Sequence, residues 1–401
     1  MRIPDNPVPG PARDYIGYGR DIPKVVWPNE ARVAINLVIN YEEGSEVHLA
    51  ADGRNEGALG EIPYVMDPAY RDLAMESVYE YGTRAGIWRL QRLFDKAKVP
   101  ITFFAAAVAL ERNPEVAQWL RDSEHEVCSH GWRWEEMWLL SREEEKAHML
   151  AAIKSFEETT GRRPRGWYCR YGPSVNTREL LVEEGGFAYD ADAYNDDLPY
   201  HVEVLGKRHL IVPYTFTYND ARFVMAPGYG SPDDFFKLLK SAFDVYWEEG
   251  ATHPRMMSIG LHPRIIGQAA RSAGLAAFLD YAQKKGGAWF ATRLEIAEWW
   301  EAQGLGCNTK FRHPVLDTGP KPETVARDGW RSTMTDPPCW PETDHAEALR
   351  RGSRPSPALV KTGGGMTFFG TLTKTPAPAF RCFHAARHPP ASSDHRRPCA
   401  P

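Results

Sequence analysis

The stretch RVAINLVI (residues 32–39) runs straight into Asn40-Tyr41-Glu42-Glu43-Gly44. Its branched and apolar residues predict a strand buried on both faces, the kind that parallel sheets use. Two carboxylates at the mouth of such a strand, released by Gly44, are expensive to place. Neighbouring strand residues face opposite sides, and like charges this close raise one another's pKa. A solvated turn is one reading. The other is a general base beside an acid that holds water or a ligand.

Outward from this strand, apolar runs and helical patterns alternate. Val99 to Ala107 reads as a second buried strand, and shorter strands are expected at His125 to Ser129, Gly166 to Arg170 and Phe187 to Asp190. Further strands are expected at His209 to Tyr214, Met256 to Leu261 and Ala288 to Ala291. Between them, Thr83 to Lys98 repeats apolar residues at helical spacing. Capping signals open helices at Ser141 with Glu144, Asn176 with Glu179, Ser231-Pro232 with Asp234, and Thr292 with Glu295. Strands alternating with helices imply parallel pairing, and about seven or eight such units suit a distorted (β/α) barrel. A doubly wound open sheet is the main alternative.

The division expected is an N-terminal arm over 1–30, a catalytic barrel over 31–304 and a tail over 305–401. The tail holds four of the six cysteines (Cys307, Cys339, Cys382, Cys399), is rich in proline and shows little periodicity. Such a composition predicts an irregular or disordered extension rather than a second packed domain.

Composition excludes several function classes. Apolar content of 43% and charged content of 25% are ordinary for a soluble globular protein. A net charge of −5 argues against general binding to nucleic acid or anionic membrane. The opening residues MRIPDNPVPGPARDY have no apolar core like that of a signal peptide, and no run is long enough to span a bilayer. A soluble cytoplasmic protein, with homo-oligomerisation left open, is the expectation.

Polar residues fall repeatedly at predicted strand ends: Glu42 and Glu43, His130 after HEVCS, Arg170 after GWYC, Asp190 after FAY, and His262 after MMSIGL. In a parallel barrel those ends converge on one mouth, where chemistry is placed. Each alone has a structural explanation. A lone histidine is commonly a satisfied core residue, and an arginine commonly forms an ordinary ion pair. The convergence of five such ends favours a shared site.

The motifs Asn40-Tyr41-Glu42-Glu43-Gly44, Ser129-His130, Arg170-Tyr171-Gly172-Pro173 and Leu261-His262-Pro263 resemble, in order, those of the polysaccharide deacetylases. Within that family the chain is most similar to the metal-independent allantoinases of bacterial purine breakdown, through DYIGYGR, NYEEGSE, SHGWRWE, DADAYNDDLPY, LHPRIIGQAAR and WFATRLEIAEWW. The resemblance spans about residues 10 to 303. It implies a distorted (β/α) barrel and, in most of the family, a divalent metal. Deacetylases carry aspartates where Glu42 and Glu43 stand, the first a base and the second a ligand, and a second ligand matches His130. The third ligand is a histidine four residues on, and here that position is Trp134. With Glu43 and His130 alone, fewer than three protein ligands remain. Either no metal or cofactor is needed, which is the expectation, or another side chain completes a site for zinc or another divalent ion.

The activity implied is opening of the cyclic amide of allantoin to give allantoate. Glu42 would be the base, its pKa raised by Glu43 and by burial, and His262 would protonate the leaving nitrogen. His130 and Glu43 would hold water or ring groups, and Arg170 would orient a carboxylate. Asp190, Asp196 and Asp197 would bind urea-like N–H groups, although loop capping explains them equally. Tyr41, Trp132, Trp134 and Tyr171 are candidate walls for a planar ring, and packing explains any one of the thirteen tryptophans as well. The rivals are a metal-dependent deacetylase of N-acetylated sugars and a non-catalytic ligand-binding barrel.

Overall fold

The computed structural model describes residues 10–57 and 61–305. The tail expected from 305 onward, with its four cysteines, lies outside the described residues apart from Leu305, as do the first nine residues of the arm. The rest of the arm is tied down at Tyr18, whose hydroxyl donates to the Pro199 carbonyl, and at Val26, whose carbonyl accepts from Trp299. Trp27 is buried, packs 5.7 Å from the Trp289 ring, and donates its indole N–H to the Arg255 carbonyl.

The strands are β1 (Val33–Tyr41), β2 (Thr102–Ala105), β3 (Glu126–Ser129), β4 (Gly166–Trp167), β5 (Tyr189–Asp190), β6 (Tyr200–Val204), β7 (Lys207–Ile211), β8 (Arg255–Leu261) and β9 (Ala288–Phe290). They form one sheet in the order β6-β7-β5-β4-β3-β2-β1-β8, parallel throughout except for the β6–β7 hairpin. β1 is its axis. β8 pairs along Val33 to Ile39, β2 takes Val38 to Tyr41, and β9 takes Val33 to Ile35. The sheet curls into a half-barrel with helices outside, the distorted (β/α) barrel expected. Beyond β7 the chain returns to the far side of β8 through a single parallel bridge between Asn219 and Gly260.

All nine residues of β1 are buried, and its period of two divides them between two layers. Val33, Ile35, Leu37, Ile39 and Tyr41 pack outward with Ile87, Leu90, Phe94, Leu239 and Phe278 of the surrounding helices. Ala34 and Val38 face the barrel interior with Phe104, Tyr168 and Tyr214. The interior base is polar: Arg293 donates to Asn36, Ser258 and the Val212 and Pro213 carbonyls.

Three helices start with reciprocal caps at Ser141/Glu144, Ser231/Asp234 and Thr292/Glu295, as the sequence predicts. Asn176 makes no side-chain cap. The helix expected over 83–98 starts earlier. It runs from Leu73 to Tyr81, widens through a single π turn over Gly82–Gly86, and continues from Ile87 to Ala97. Any side chain at Gly82 would collide with the Glu43 carboxyl, and one at Gly86 with the Pro263 carbonyl. The wider turn and its two glycines therefore bring this helix against the mouth of β1.

Candidate active site

Alternation along β1 and just beyond it decides what reaches the mouth. Asn40 and Glu42 point into the barrel, where they line a cavity of about 500 Å³. Tyr41 and Glu43 point the other way. The cavity is also lined by His130, Trp134, Tyr168, Tyr171, Tyr214, Phe216, His262 and Arg264.

Glu42 is the hub. Its Oε1 lies 3.5 Å from His130 Nε2 and 3.6 Å from His262 Nε2, and its Oε2 accepts from Arg264 Nη1 at 2.8 Å. All four side chains are buried. Burial alone would raise the Glu42 pKa, but Arg264 foremost, then His262 and a hydrogen bond from His130, hold it well below the usual carboxylate range. The raised pKa expected for Glu42 belongs instead to Glu43, which burial pushes up to about 7. Glu43 accepts from the backbone N–H of Arg264 at 3.1 Å and from that of Glu42 at 3.2 Å. It stands behind the wall as a support for Arg264, and does not face the cavity as a water holder.

His130 Nδ1 sits 2.9 Å from the Tyr168 carbonyl. A carbonyl only accepts, so Nδ1 donates to it, which turns Nε2 toward Glu42. His262 is held by a carboxylate instead of a carbonyl. Its Nδ1 lies 2.6 Å from Asp220 Oδ1, while Asp220 Oδ2 accepts from the backbone N–H groups of His262 at 2.7 Å and Ile266 at 3.1 Å. Burial opposes charging this imidazole, but Asp220 and then Glu42 outweigh it and raise its pKa to about 10. His262 is thus placed to donate a proton at the cavity.

Several sequence candidates are placed elsewhere. Arg170 is not on the cavity surface. Its guanidinium is held by Glu56 at 2.6 and 3.1 Å and by the Trp134 carbonyl at 2.8 Å, with its central carbon 3.7 Å from the Trp134 ring centroid. It fixes the aromatic wall, and both its Nη groups are already engaged by Glu56 and the Trp134 carbonyl. Tyr41 bonds Thr83 at 3.0 Å on the helix side of the sheet. Trp132 packs against His148 at 5.0 Å. Asp190 is buried between Arg178 at 2.8 Å and His209 at 2.9 Å. Asp196 caps the Leu198 N–H, and Asp197 accepts from Tyr246. None of these lines the cavity. Trp134 and Tyr171 do, as expected of walls, and Tyr171 takes a left-handed backbone conformation (φ 59°) to do so.

Sequence reasoning missed Arg264 and Asp220. Arg264 was within reach, since it stands two residues after His262 at the same mouth. Asp220 had no local signal, because its partner is 42 residues away.

This arrangement has relatives. A model of the family "Polysaccharide deacetylase" matches residues 74–189. A Schizosaccharomyces pombe protein named as a polysaccharide deacetylase candidate is 37% identical over 315 residues, 73% of this chain and 97% of its own length. The chain belongs to the polysaccharide deacetylase family. Among solved members, a probable polysaccharide deacetylase from Pseudomonas aeruginosa PAO1 is 48% identical, with a TM-score of 0.70 over 73% of this chain and 98% of that one. PuuE allantoinase is 47% identical, with a TM-score of 0.70 over 72% of this chain and 97% of that one. The protein is therefore a hydrolase of this family.

A divalent metal, usual in the family, does not fit the residues present. The position matching the third ligand is the indole of Trp134. Among the described residues no three His, Cys, Asp or Glu side chains are grouped to hold an ion. The positive charge that Glu42 and Glu43 require comes from Arg264, itself covered by the rings of Tyr79 and Trp134.

Proposed function

We propose that this hydrolase opens the cyclic amide of allantoin to give allantoate, and that it does so without a metal. The observation that carries the reading is the Arg264–Glu42 pair beneath Trp134: a fixed guanidinium and a flat indole where the family places metal chemistry. The similarity to PuuE allantoinase over nearly all of that chain supports the same substrate class. A cavity walled by Trp134, Tyr168, Tyr171, Tyr214 and Phe216 suits a small planar ring.

In this reading a water molecule binds between Glu42 Oε1 and His130 Nε2. As its oxygen bonds to the amide carbon, its proton passes to Glu42, which is ionised and oriented by Arg264 although a weaker base than an ordinary glutamate. Breaking the carbon–nitrogen bond requires a proton on the departing nitrogen. His262 supplies it from Nε2. The proton on Glu42 then reloads His262 across 3.6 Å, and the site returns to its starting state.

A second reading, hydrolysis of N-acetyl groups on a polysaccharide or chitooligosaccharide, is favoured by the family model and the yeast relative. Both substrates present an amide to the same water. Turnover of allantoin and of an N-acetylated chitooligosaccharide by the same purified protein separates them. Allantoate release with no acetate release supports the proposal. Acetate release alone would replace it with the second reading.

A further inference from the structure

We propose that the Tyr214 hydroxyl donates a hydrogen bond to the carbonyl oxygen of the bound amide, and so offsets the charge developing there. The proposal rests on the cyclic-amide reading for the identity of that oxygen. The direction in which the hydroxyl points does not depend on it.

Tyr214 follows β7 by three residues and is buried in the barrel interior, 5.1 Å from the Tyr168 ring and 5.4 Å from the Phe104 ring. Its hydroxyl oxygen lies 3.3 Å from Asn40 Nδ2 and 3.1 Å from Asn219 Nδ2. Neither amide can be turned over. Asn219 Oδ1 accepts the Ala221 N–H at 2.8 Å, so an oxygen must stand there. Asn40 Nδ2 also reaches the Leu261 carbonyl at 3.4 Å, so a nitrogen must stand there. Both NH2 groups therefore face the phenol oxygen, which accepts twice, and its own proton can be given to neither. Among the described residues the phenol donates to no protein acceptor.

The backbone indicates where that proton goes. Strand alternation places Asn40 on the same face as Glu42, and Gly260 on the same face as His262. A side chain at Gly260 would collide with the Tyr214 hydroxyl, so this glycine makes room for it. The hydroxyl thus stands one strand layer below Glu42 and His262, at the base of the cavity that Tyr214, Asn40 and Asn219 all line. A phenol that accepts two N–H bonds is polarised toward donating a stronger one. An amide carbonyl is the substrate's best acceptor, and it gains charge when water adds. In a site where the donor set does not fit a divalent ion, this hydroxyl is in place to stabilise that charge.

Two measurements on the full chain test the assignment. A high-resolution crystal structure of the ligand-free protein should show an oxygen atom of water within hydrogen-bond distance of the Tyr214 hydroxyl on its cavity side. A hydroxyl donating to a protein acceptor instead would overturn the proposal, whatever the substrate proves to be. In allantoin kinetics, Tyr214→Phe should lower kcat about 10²- to 10³-fold, the loss typical of one oxyanion donor, with KM changed only a few-fold. Asn219→Asp keeps the hydroxyl and the cap on Ala221 but turns an NH2 donor into an acceptor, drawing the proton away from the cavity. It should reproduce the loss in kcat. Wild-type kcat in either folded variant would overturn the proposal. Wild type inactive on allantoin would count against the cyclic-amide reading instead, leaving the crystallographic result to decide the hydroxyl's direction.

Discussion

Replacing Asp220 with asparagine isolates the charge that keeps His262 protonated. The change is nearly isosteric, and the remaining oxygen still accepts from the His262 and Ile266 backbones. The new NH2 group faces His262 Nδ1, where the carboxylate had accepted a hydrogen bond at 2.6 Å. His262 stands at about 10 against an ordinary 6.5. At about 1.4 kcal/mol per pH unit, that separation corresponds to roughly 5 kcal/mol in favour of imidazolium. Asp220 outranks Glu42 as its source, so its loss should bring the pKa down by about two units or more. A histidine NMR titration, with His262→Asn to assign the signal, reads this directly. The stability linkage has the same sign. A group raised in the folded state stabilises fully below its unfolded value, and this contribution is lost as pH rises from 6.5 through about 10. Asp220→Asn should flatten that slope and move the alkaline limb of activity toward neutrality. A titration or pH–activity limb unchanged by the substitution would refute the pairing as the source of His262's charge.

Other expectations follow from the same geometry. Arg264→Met leaves Glu42 and Glu43 buried without their cation and should destabilise the fold by about 3–5 kcal/mol; an unchanged urea midpoint would contradict the pairing. Gly86→Ala drives a methyl group into the Pro263 carbonyl and should cost at least about 1–3 kcal/mol in thermal or urea unfolding. A stable variant would show that the helix does not need this approach. Glu43, at about 7 against an ordinary 4.5, binds its proton in the folded state first, so its contribution is full below 4.5 and is lost as pH rises to 7. Glu43→Gln should flatten that decline in unfolding experiments, and an identical decline would argue against it. Dialysis against a chelator should leave both activity and melting temperature unchanged, and loss restored by zinc would put a metal back in the site.

What was legible in the sequence was local. β1 was readable because nine successive buried residues leave a continuous apolar signature, and the capping boxes because both partners sit three residues apart. β6 was missed because its residues are only half-buried and carry no such signature. The helix over Leu73–Tyr81 was missed because the π turn at Gly82–Gly86 breaks the helical period. Strand alternation already separated Glu42 from Glu43, and the structure places Tyr41 with Glu43 and Asn40 with Glu42. Arg170 shows where local reading ends: its carboxylate partner, Glu56, is 114 residues away, and nothing near Arg170 announces that its charge is already taken.

The central claim is that allantoin lies in the aromatic cavity with its amide carbon beside Glu42 and the departing nitrogen beside His262. A crystal structure of the Glu42→Gln variant soaked with allantoin tests it most directly. The ring should lie against Trp134, its carbonyl carbon in van der Waals contact with residue 42 and its ring nitrogen within hydrogen-bond reach of His262 Nε2. An empty cavity at saturating allantoin, or a ring bound away from both side chains, would contradict it.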